Sequence, residues 1–363
     1  MQRRQFLRGA ALGGAGVAAG GLATPAITQA RREITVVSTW GRDFPGLGLG
    51  AQRQMQRLEE VSDGHFKVNY FAAGERVGAF DVYDDVAAGN SQAYVGADYY
   101  WKGKHEALSY FTTVPMGMVY AEHNAWIKYM GGQELWDEVG GEFGIKGLMC
   151  GSTGTQMGGW FNKEINTPDD LRGLRVRIPG QGGDALVKLG ASTVSLPGGQ
   201  IYENLVTGNV DAAEWVGPYN DYFLKLYEAA RYYYVAGFHE PGGAIAFGMN
   251  ASWWGSLNEW EKELIKAVCN EEHLEQMTEN NALNGQYLTR MVNDHGVQIR
   301  YYSEELWDAF GEAMEEVFAE VREHSPLAAK VDDHWQKSLR ELAAYQKIAD
   351  LEFSVQRNRV LGI

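Results

Sequence analysis

Three short segments collect carboxylate, carboxamide and aromatic side chains next to glycines, the mixture that a small polar ligand needs. The first is 156–161 (QMGGWF), in which the Gln156 carboxamide precedes a strand ending in Trp160 and Phe161. In the second, 212–221 (AAEWVGPYND), Glu214 and Trp215 close a strand, and Gly217 with Pro218 forces a turn. The third, 239–243 (HEPGG), puts Glu240 in a turn ahead of an apolar strand. Arg177 lies between Val176 and Ile178 inside an apolar run. A guanidinium cannot be neutralised, so if it faces inward it needs a carboxylate, from the protein or from a ligand. Arg175 has the same parity, and for either residue the alternative is a solvated sheet face or an internal salt bridge. Signatures of catalysis are missing: there is no Walker phosphate loop, HExxH zinc motif or GxSxG elbow. The glycines of 46–50 do not match the dinucleotide fingerprint and read as a turn. Of the eight histidines only His239 has suggestive neighbours, and a solvent-facing or hydrogen-bonded ring is expected for each.

The pattern of elements says how these residues are held. Strands are expected at 33–40, 65–71 and 92–97, with helices at 52–61 and up to about 89, the rhythm of a parallel sheet covered by helices. Tyr99, Tyr100 and Trp101 follow the third strand. After a helical stretch at 121–139, strands are expected at 145–150, 157–162, 174–178, 192–196 and 210–215. Helices are expected from Thr167, an N-cap followed by Pro168, Asp169 and Asp170, and at 184–189 and 200–207. This alternation predicts a second α/β unit, and Glu214 falls at the carboxyl end of a strand, where open sheets gather ligands. Further strands are expected at 232–235 and 244–249. Beyond 250 the chain is nearly all helix, at 257–292, from Ser303, and from Pro326 with an apolar stripe running through Leu327, Val331, Trp335, Leu339, Leu342, Tyr345, Ile348, Leu351 and Val355. Its thirty or so residues would span roughly 45 Å, more than one small domain covers. A second copy of the chain, or a strut across both domains, would account for that length.

The chain has 363 residues, 45% of them apolar and 22% charged, enough for two globular domains. Its net charge of −15 opposes a phosphate-backbone partner, so no nucleic-acid role is expected. Arg3, Arg4, Gln5, Phe6, Leu7 and Arg8 form a twin-arginine pattern ahead of a Gly/Ala run, and Thr28, Gln29 and Ala30 suit a signal peptidase. Residues 1–30 thus read as an export signal to the periplasm. They carry three basic residues and no acidic one, so their removal leaves −18. No later apolar run approaches the roughly twenty residues that cross a bilayer. Cys150 and Cys269 read as two isolated buried thiols, with a single disulfide as the alternative.

Together these residues and this topology resemble the solute-binding proteins of tripartite ATP-independent periplasmic (TRAP) transporters, over the whole length after residue 30. In that family the strand after a DLRG-type turn, here Asp170, Leu171, Arg172 and Gly173, carries the arginine that holds the ligand carboxylate, and Arg177 matches it. QMGGWF and EWVGPYND resemble the subgroup that binds 2-oxo or 2-hydroxy monocarboxylates with a metal ion. The resemblance implies a periplasmic-binding-protein-like α/β fold: two domains with a cleft, at 31–150 with 245–300 and at 151–244, and C-terminal helices at 301–363 spanning the domains or forming a dimer interface. It implies metal contacts from Gln156, Glu214, the Trp215 carbonyl and Glu240, and substrate contacts from Arg177, Gln156, Trp215, Tyr99 and Tyr100. Oxygen donors suit Na⁺ or Ca²⁺. Two glutamates and the ligand carry −3, against +3 for Arg177 with Ca²⁺ and +2 with Na⁺, and the ion stays open. The implied role is a receptor without enzymatic activity that delivers the acid to a membrane permease, with a homodimer expected. A dicarboxylate or sugar acid as ligand, or a metal-dependent periplasmic enzyme using Glu214 and Glu240, are the rival expectations.

Overall fold

A computed structural model describes residues 31–363; the export signal expected at 1–30 lies outside them. Two sheets form, each covered by helices. The first contains β1 (Arg32–Ser38), β2 (Phe66–Phe71), β3 (Ala93–Gly96), β4 (Ile145–Gly154) and β10 (Gly243–Asn250), in the order β2-β1-β3-β10-β4. β1 runs parallel to β2 and β3, and β10 runs antiparallel to β3 and β4. The second contains β5 (Gly159–Phe161), β6 (Arg175–Arg177), β7 (Ser192–Val194), β8 (Ala212–Ala213), β9 (Tyr232–Tyr234) and β11 (Gln298–Arg300), in the order β11-β9-β5-β8-β6-β7. These are two α/β lobes, the second of which the alternating pattern predicts, with the cleft between them that the resemblance implies. The chain leaves the first lobe after β4 and re-enters it at β10.

Several boundaries differ from expectation for local reasons. Leu47–Val61 is one helix, so the glycines at 48 and 50 belong to its first turn and not to a free turn. Gly48 and Gly50 are needed there because a Cβ would lie 2.3 Å from the Gly41 carbonyl oxygen and 2.5 Å from the Gln276 amide, respectively. The stretch at 121–139 is two helices, Tyr120–Tyr129 and Gly132–Gly141, separated by Gly131 at φ 92°. Thr167 does form a capping box with Asp170, but the segment Pro168–Leu171 makes only one 3₁₀ turn before the chain reverses at Gly173.

The helix Glu259–His295 starts at a capping box formed by Asn258 and Glu261 and stops at Gly296, φ 66°. Its inward face is polar along Glu272, His273, Gln276 and Asn280. His273 Nδ1 lies 2.8 Å from the Gly151 carbonyl, Asn280 donates to the Ser152 carbonyl, and Asn220 donates to Asn280. Those amides and rings satisfy carbonyls of β4 that would otherwise be buried unpaired. Cys150 and Cys269 are buried free thiols.

The chain ends in the helices Glu304–His324 and Pro326–Gln346, continued by a π turn at Lys347–Leu351 and the helix Glu352–Leu361. Val331 and Trp335 are buried, and Leu339 and Leu342 pack against the same core. Further along the stripe Tyr345, Ile348, Leu351 and Val355 face solvent, and no residue of Glu352–Leu361 is buried. Among the described residues no helix is long and apolar enough to cross a membrane.

The turn Asp98–Trp101 carries two of the expected site tyrosines, and its anchor is a buried carboxylate. Asp98 accepts from Tyr94 Oη at 2.7 Å and from Trp136 Nε1 at 2.8 Å. Burial outweighs those bonds and pushes its carboxyl up to about 6 from an ordinary 3.8. The folded state therefore holds this proton more tightly than the unfolded chain. The associated stability is full below pH 4 and is lost as pH rises through 6, a change on the order of 3 kcal/mol. Asp98→Asn should gain on the wild type by about that amount between pH 4 and pH 7, read from urea unfolding at several pH values; a pH-independent difference would contradict this assignment.

Candidate ligand and metal site

The site is built on backbone pairing in the second sheet. β6 pairs in parallel with β8, placing Arg177 opposite Ala213, and the Glu214 amide then donates to the Arg177 carbonyl at 3.1 Å. Glu214 is thus fixed beside Arg177 before any side-chain contact is made. Both are buried, at 1% and 2% exposure. Arg175, two residues earlier, is exposed and pairs with Asp211 at 2.7 Å, so the shared parity does not give a shared environment.

Four of the five guanidinium N–H groups of Arg177 have partners within the protein. Nε and Nη2 donate to the Leu196 carbonyl at 3.0 and 2.9 Å, and Nη1 donates to the Glu214 carbonyl at 2.9 Å and to Glu214 Oε1. One N–H on Nη2 remains. Trp215 lies under the cation, its ring 5.2 Å from Arg177 Cζ. Burial opposes the charge, but Glu214, Tyr100, Tyr99 and Glu240 more than offset it, and the guanidinium is held above its ordinary value.

The other half of the site comes from the two loops that flank β4 and β10. The Gln156 amide nitrogen donates to the Glu240 carbonyl at 2.9 Å, and Gln156 Nε2 donates to Glu240 Oε2 and to Thr153 Oγ1. Gln156 Oε1 and Glu240 Oε1 are buried acceptors with no donor. Burial, reinforced by the Glu214 charge, holds the Glu240 carboxyl well above the usual range. Glu214, His239 and Glu240 each bring a ligand atom within 4.8 Å of the others. His239, expected only as a hydrogen-bonded or solvent-facing ring, is buried with Nε2 at 3.3 Å from Glu214 Oε2. Its position directly before Glu240 was the one signal in the sequence.

From the other lobe, Tyr99 and Tyr100 stack on each other with ring centroids 4.7 Å apart. Burial raises both phenols, and the Arg177 charge counteracts this. Tyr99 packs against Gly180, where φ is +66° and a Cβ would lie 2.5 Å from Tyr99 Cδ2. Close beside that contact Lys102 pairs with Asp184 at 2.7 Å. A cavity lies between Trp40, Leu47, Ala97, Tyr99, Tyr100, Gln156, Trp215, Glu240 and Ile245, with about 10 Å³ open to the centre of a water molecule. That is room for about one water. Of the seven sequence-predicted residues, Gln156, Trp215, Glu240, Tyr99 and Tyr100 line this cavity, and Arg177 and Glu214 are buried next to it, Arg177 on the ring of Trp215 and bonded to Glu214.

The comparisons with known proteins bear on this geometry. Residues 40–324 match the family model DctP, bacterial extracellular solute-binding protein, family 7. The chain belongs to that family. It is 36% identical over 318 residues to a monocarboxylate 2-oxoacid-binding periplasmic protein of Nostoc sp., covering 88% of this chain and 87% of that one. A TRAP periplasmic solute-binding protein of Pseudoalteromonas atlantica, solved with bound sodium and pyruvate, superposes with TM-score 0.86 at 33% identity, covering 89% of this chain and 98% of that one. A TRAP transporter solute-binding protein of Bordetella bronchiseptica, a mixed-occupancy dimer with calcium and picolinate in one site, gives TM-score 0.89 at 29% identity, covering 92% and 99%.

The residues present fit a hard cation. Two buried carboxylates and a carboxamide supply oxygen donors, and two of those oxygens lack any hydrogen-bond donor. Gln156, Glu214 and Glu240 would hold the ion by their side chains. Breaking the buried Arg177–Glu214 pair strands a guanidinium in the interior. Glu214→Ala is therefore expected to destabilise the ligand-free protein by about 3–5 kcal/mol in chemical denaturation, and a loss under 1 kcal/mol, about what an exposed pair contributes, would mean the pair is solvated.

Proposed function

We propose that this chain is the extracytoplasmic receptor of a TRAP transporter and that it binds a pyruvate-like 2-oxo monocarboxylate together with Na⁺ or Ca²⁺ and passes it to the membrane permease. The observation that carries this is the juxtaposition, in one cavity region, of a buried arginine with a spare N–H and an oxygen cluster short of donors. Pyruvate and picolinate, the ligands named for the two solved relatives, share one feature: a carboxylate with a second donor atom on the adjacent carbon. Such a pair chelates a hard cation while the carboxylate also takes a hydrogen bond from Arg177. The ion thus balances the charge that Glu214, Glu240 and the ligand bring together.

The same walls argue against a dicarboxylate. No lysine or arginine borders the cavity itself among the described residues, and Arg177, set on the ring of the lining Trp215, has a single N–H left, so a second carboxylate would be buried without a partner. A cavity with room for one water admits pyruvate only if the lobes part and then close again. A Kd on the order of micromolar suits a receptor that must also release its cargo. Export by the twin-arginine route belongs to the same proposal.

Pyruvate should raise the melting temperature in buffers containing Na⁺ or Ca²⁺ and fail to do so in choline chloride with a chelator, while succinate gives no shift in any of them. A shift that ignores the ion would remove the cation from the site, and a succinate shift equal to that of pyruvate would redirect the proposal to dicarboxylates.

The exposed apolar run at 345–361 supports a homodimer, the state named for the Bordetella relative. An isolated helical end of this length is marginal in water. Light scattering is expected to find a dimer for the intact chain and a monomer after deletion of 347–363; a dimer that survives the deletion would place the interface elsewhere.

A further inference from the structure

We propose that His239 is a positioning residue which, by donating from Nε2 to Glu214, sets the plane of the carboxylate that receives the ion; this rests on the receptor role proposed for the chain. Glu214 is held from two sides. Oε1 accepts from Arg177 Nη1, and Oε2 faces His239 Nε2 at 3.3 Å. A carboxylate paired with a guanidinium can only accept, so the imidazole hydrogen is on Nε2. Nδ1 is buried and has no partner.

The ring itself is clamped. A Cβ on Gly182 would lie 2.6 Å from His239 Cβ, and one on Gly237 would lie 2.7 Å from His239 Cε1. Glycines at both places let backbone close on the His239 side chain, at its Cβ and at its ring. Gly182 belongs to the helix Gly180–Lys188, which follows Arg177 after two residues, so one stretch of chain carries Arg177 and also braces His239. The two oxygens of Glu214 are therefore oriented before any cation arrives. Outer partners that orient a metal ligand typically govern 10–100-fold in affinity.

The test measures Ca²⁺ affinity by calorimetry at saturating pyruvate for the wild type, His239→Ala, His239→Gln and His239→Asn, with the melting temperature of each ligand-free protein. A glutamine amide nitrogen reaches the place of imidazole Nε2, whereas an asparagine amide ends at the place of Nδ1. We expect Ala and Asn to weaken Ca²⁺ binding about 10–100-fold and Gln to restore most of it, without a matching order in the melting temperatures. Long-range ¹H–¹⁵N spectra of the ligand-free wild type should show a hydrogen on Nε2.

Equal affinities for the Gln and Asn variants, or affinity that simply follows thermal stability, would overturn the positioning role. So would Zn²⁺ or Ni²⁺ binding more tightly than Ca²⁺ and being lost in the Gln variant, because the ring would then be a direct ligand. If the wild type takes pyruvate with no ion dependence, the receptor proposal falls in its metal part and this role falls with it. An ion-dependent wild type with an unimpaired Ala variant removes only His239.

Discussion

The buried contact between Arg177 and Glu214 is the constraint from which the rest of the site follows. Transferring two charges out of water costs several kcal/mol for each, and their attraction repays this only when geometry is fixed and the remaining hydrogen-bonding groups are satisfied. Here the fixing is done by the backbone: β6 beside β8 sets the two residues at adjacent positions, and the Leu196 carbonyl after β7 takes two more N–H groups. The pair is therefore expensive to hold but rigid. A stable fold alone would be served as well by apolar residues of similar size, so the pair makes most sense as the prepared half of a recognition site.

The second carboxylate gives the site its asymmetry. Glu240 has no cation bonded to it, the Gln156 amide donates to it, and it stands close to the charge of Glu214. Apolar and aromatic walls exclude water that would otherwise screen the two acids. An environment of this kind is poor for two bare carboxylates and good for a small hard cation shared between them. An acid ligand brings one more negative charge, and the arginine and the ion together answer it.

Much of this was legible in the residues because the informative ones announce themselves. Arg177 stands out as a fixed charge in an apolar run, and Glu214 as an acid at a strand end beside Gly217 and Pro218. The alternation of apolar and polar residues located every strand but β11, whose three residues lie in a stretch that reads as helical. What stayed hidden depended on partners distant in sequence. Leu47–Gly50 looked like a turn because its glycines suggest freedom, whereas they are required by Gly41 and Gln276 lying against the helix. Thr167 looked like the start of a helix because a capping box fixes only a beginning, and Gly173 sets the end. The bond from His239 to Glu214 spans 25 positions and leaves no periodic trace. That Glu214 would occupy Arg177 so fully could not be read from two separated strands either.

Every side chain expected to hold the ion lies between residues 156 and 240, on the excursion the chain makes after β4 and before β10. Those two strands are neighbours, paired from Asn250 with Ile145 to Gly243 with Gly154, and the bond from Gln156 to the Glu240 carbonyl continues their pairing past the sheet. Tyr99 and Tyr100 belong to the opposite lobe. Spreading the two bodies apart about this double ribbon, as about a door's spine, strips the tyrosines away yet leaves Gln156, Glu214 and Glu240 as a set. A receptor that opened in this way would keep its cation seat whole, and the order of arrival this would favour is metal first, organic acid second, shutting last.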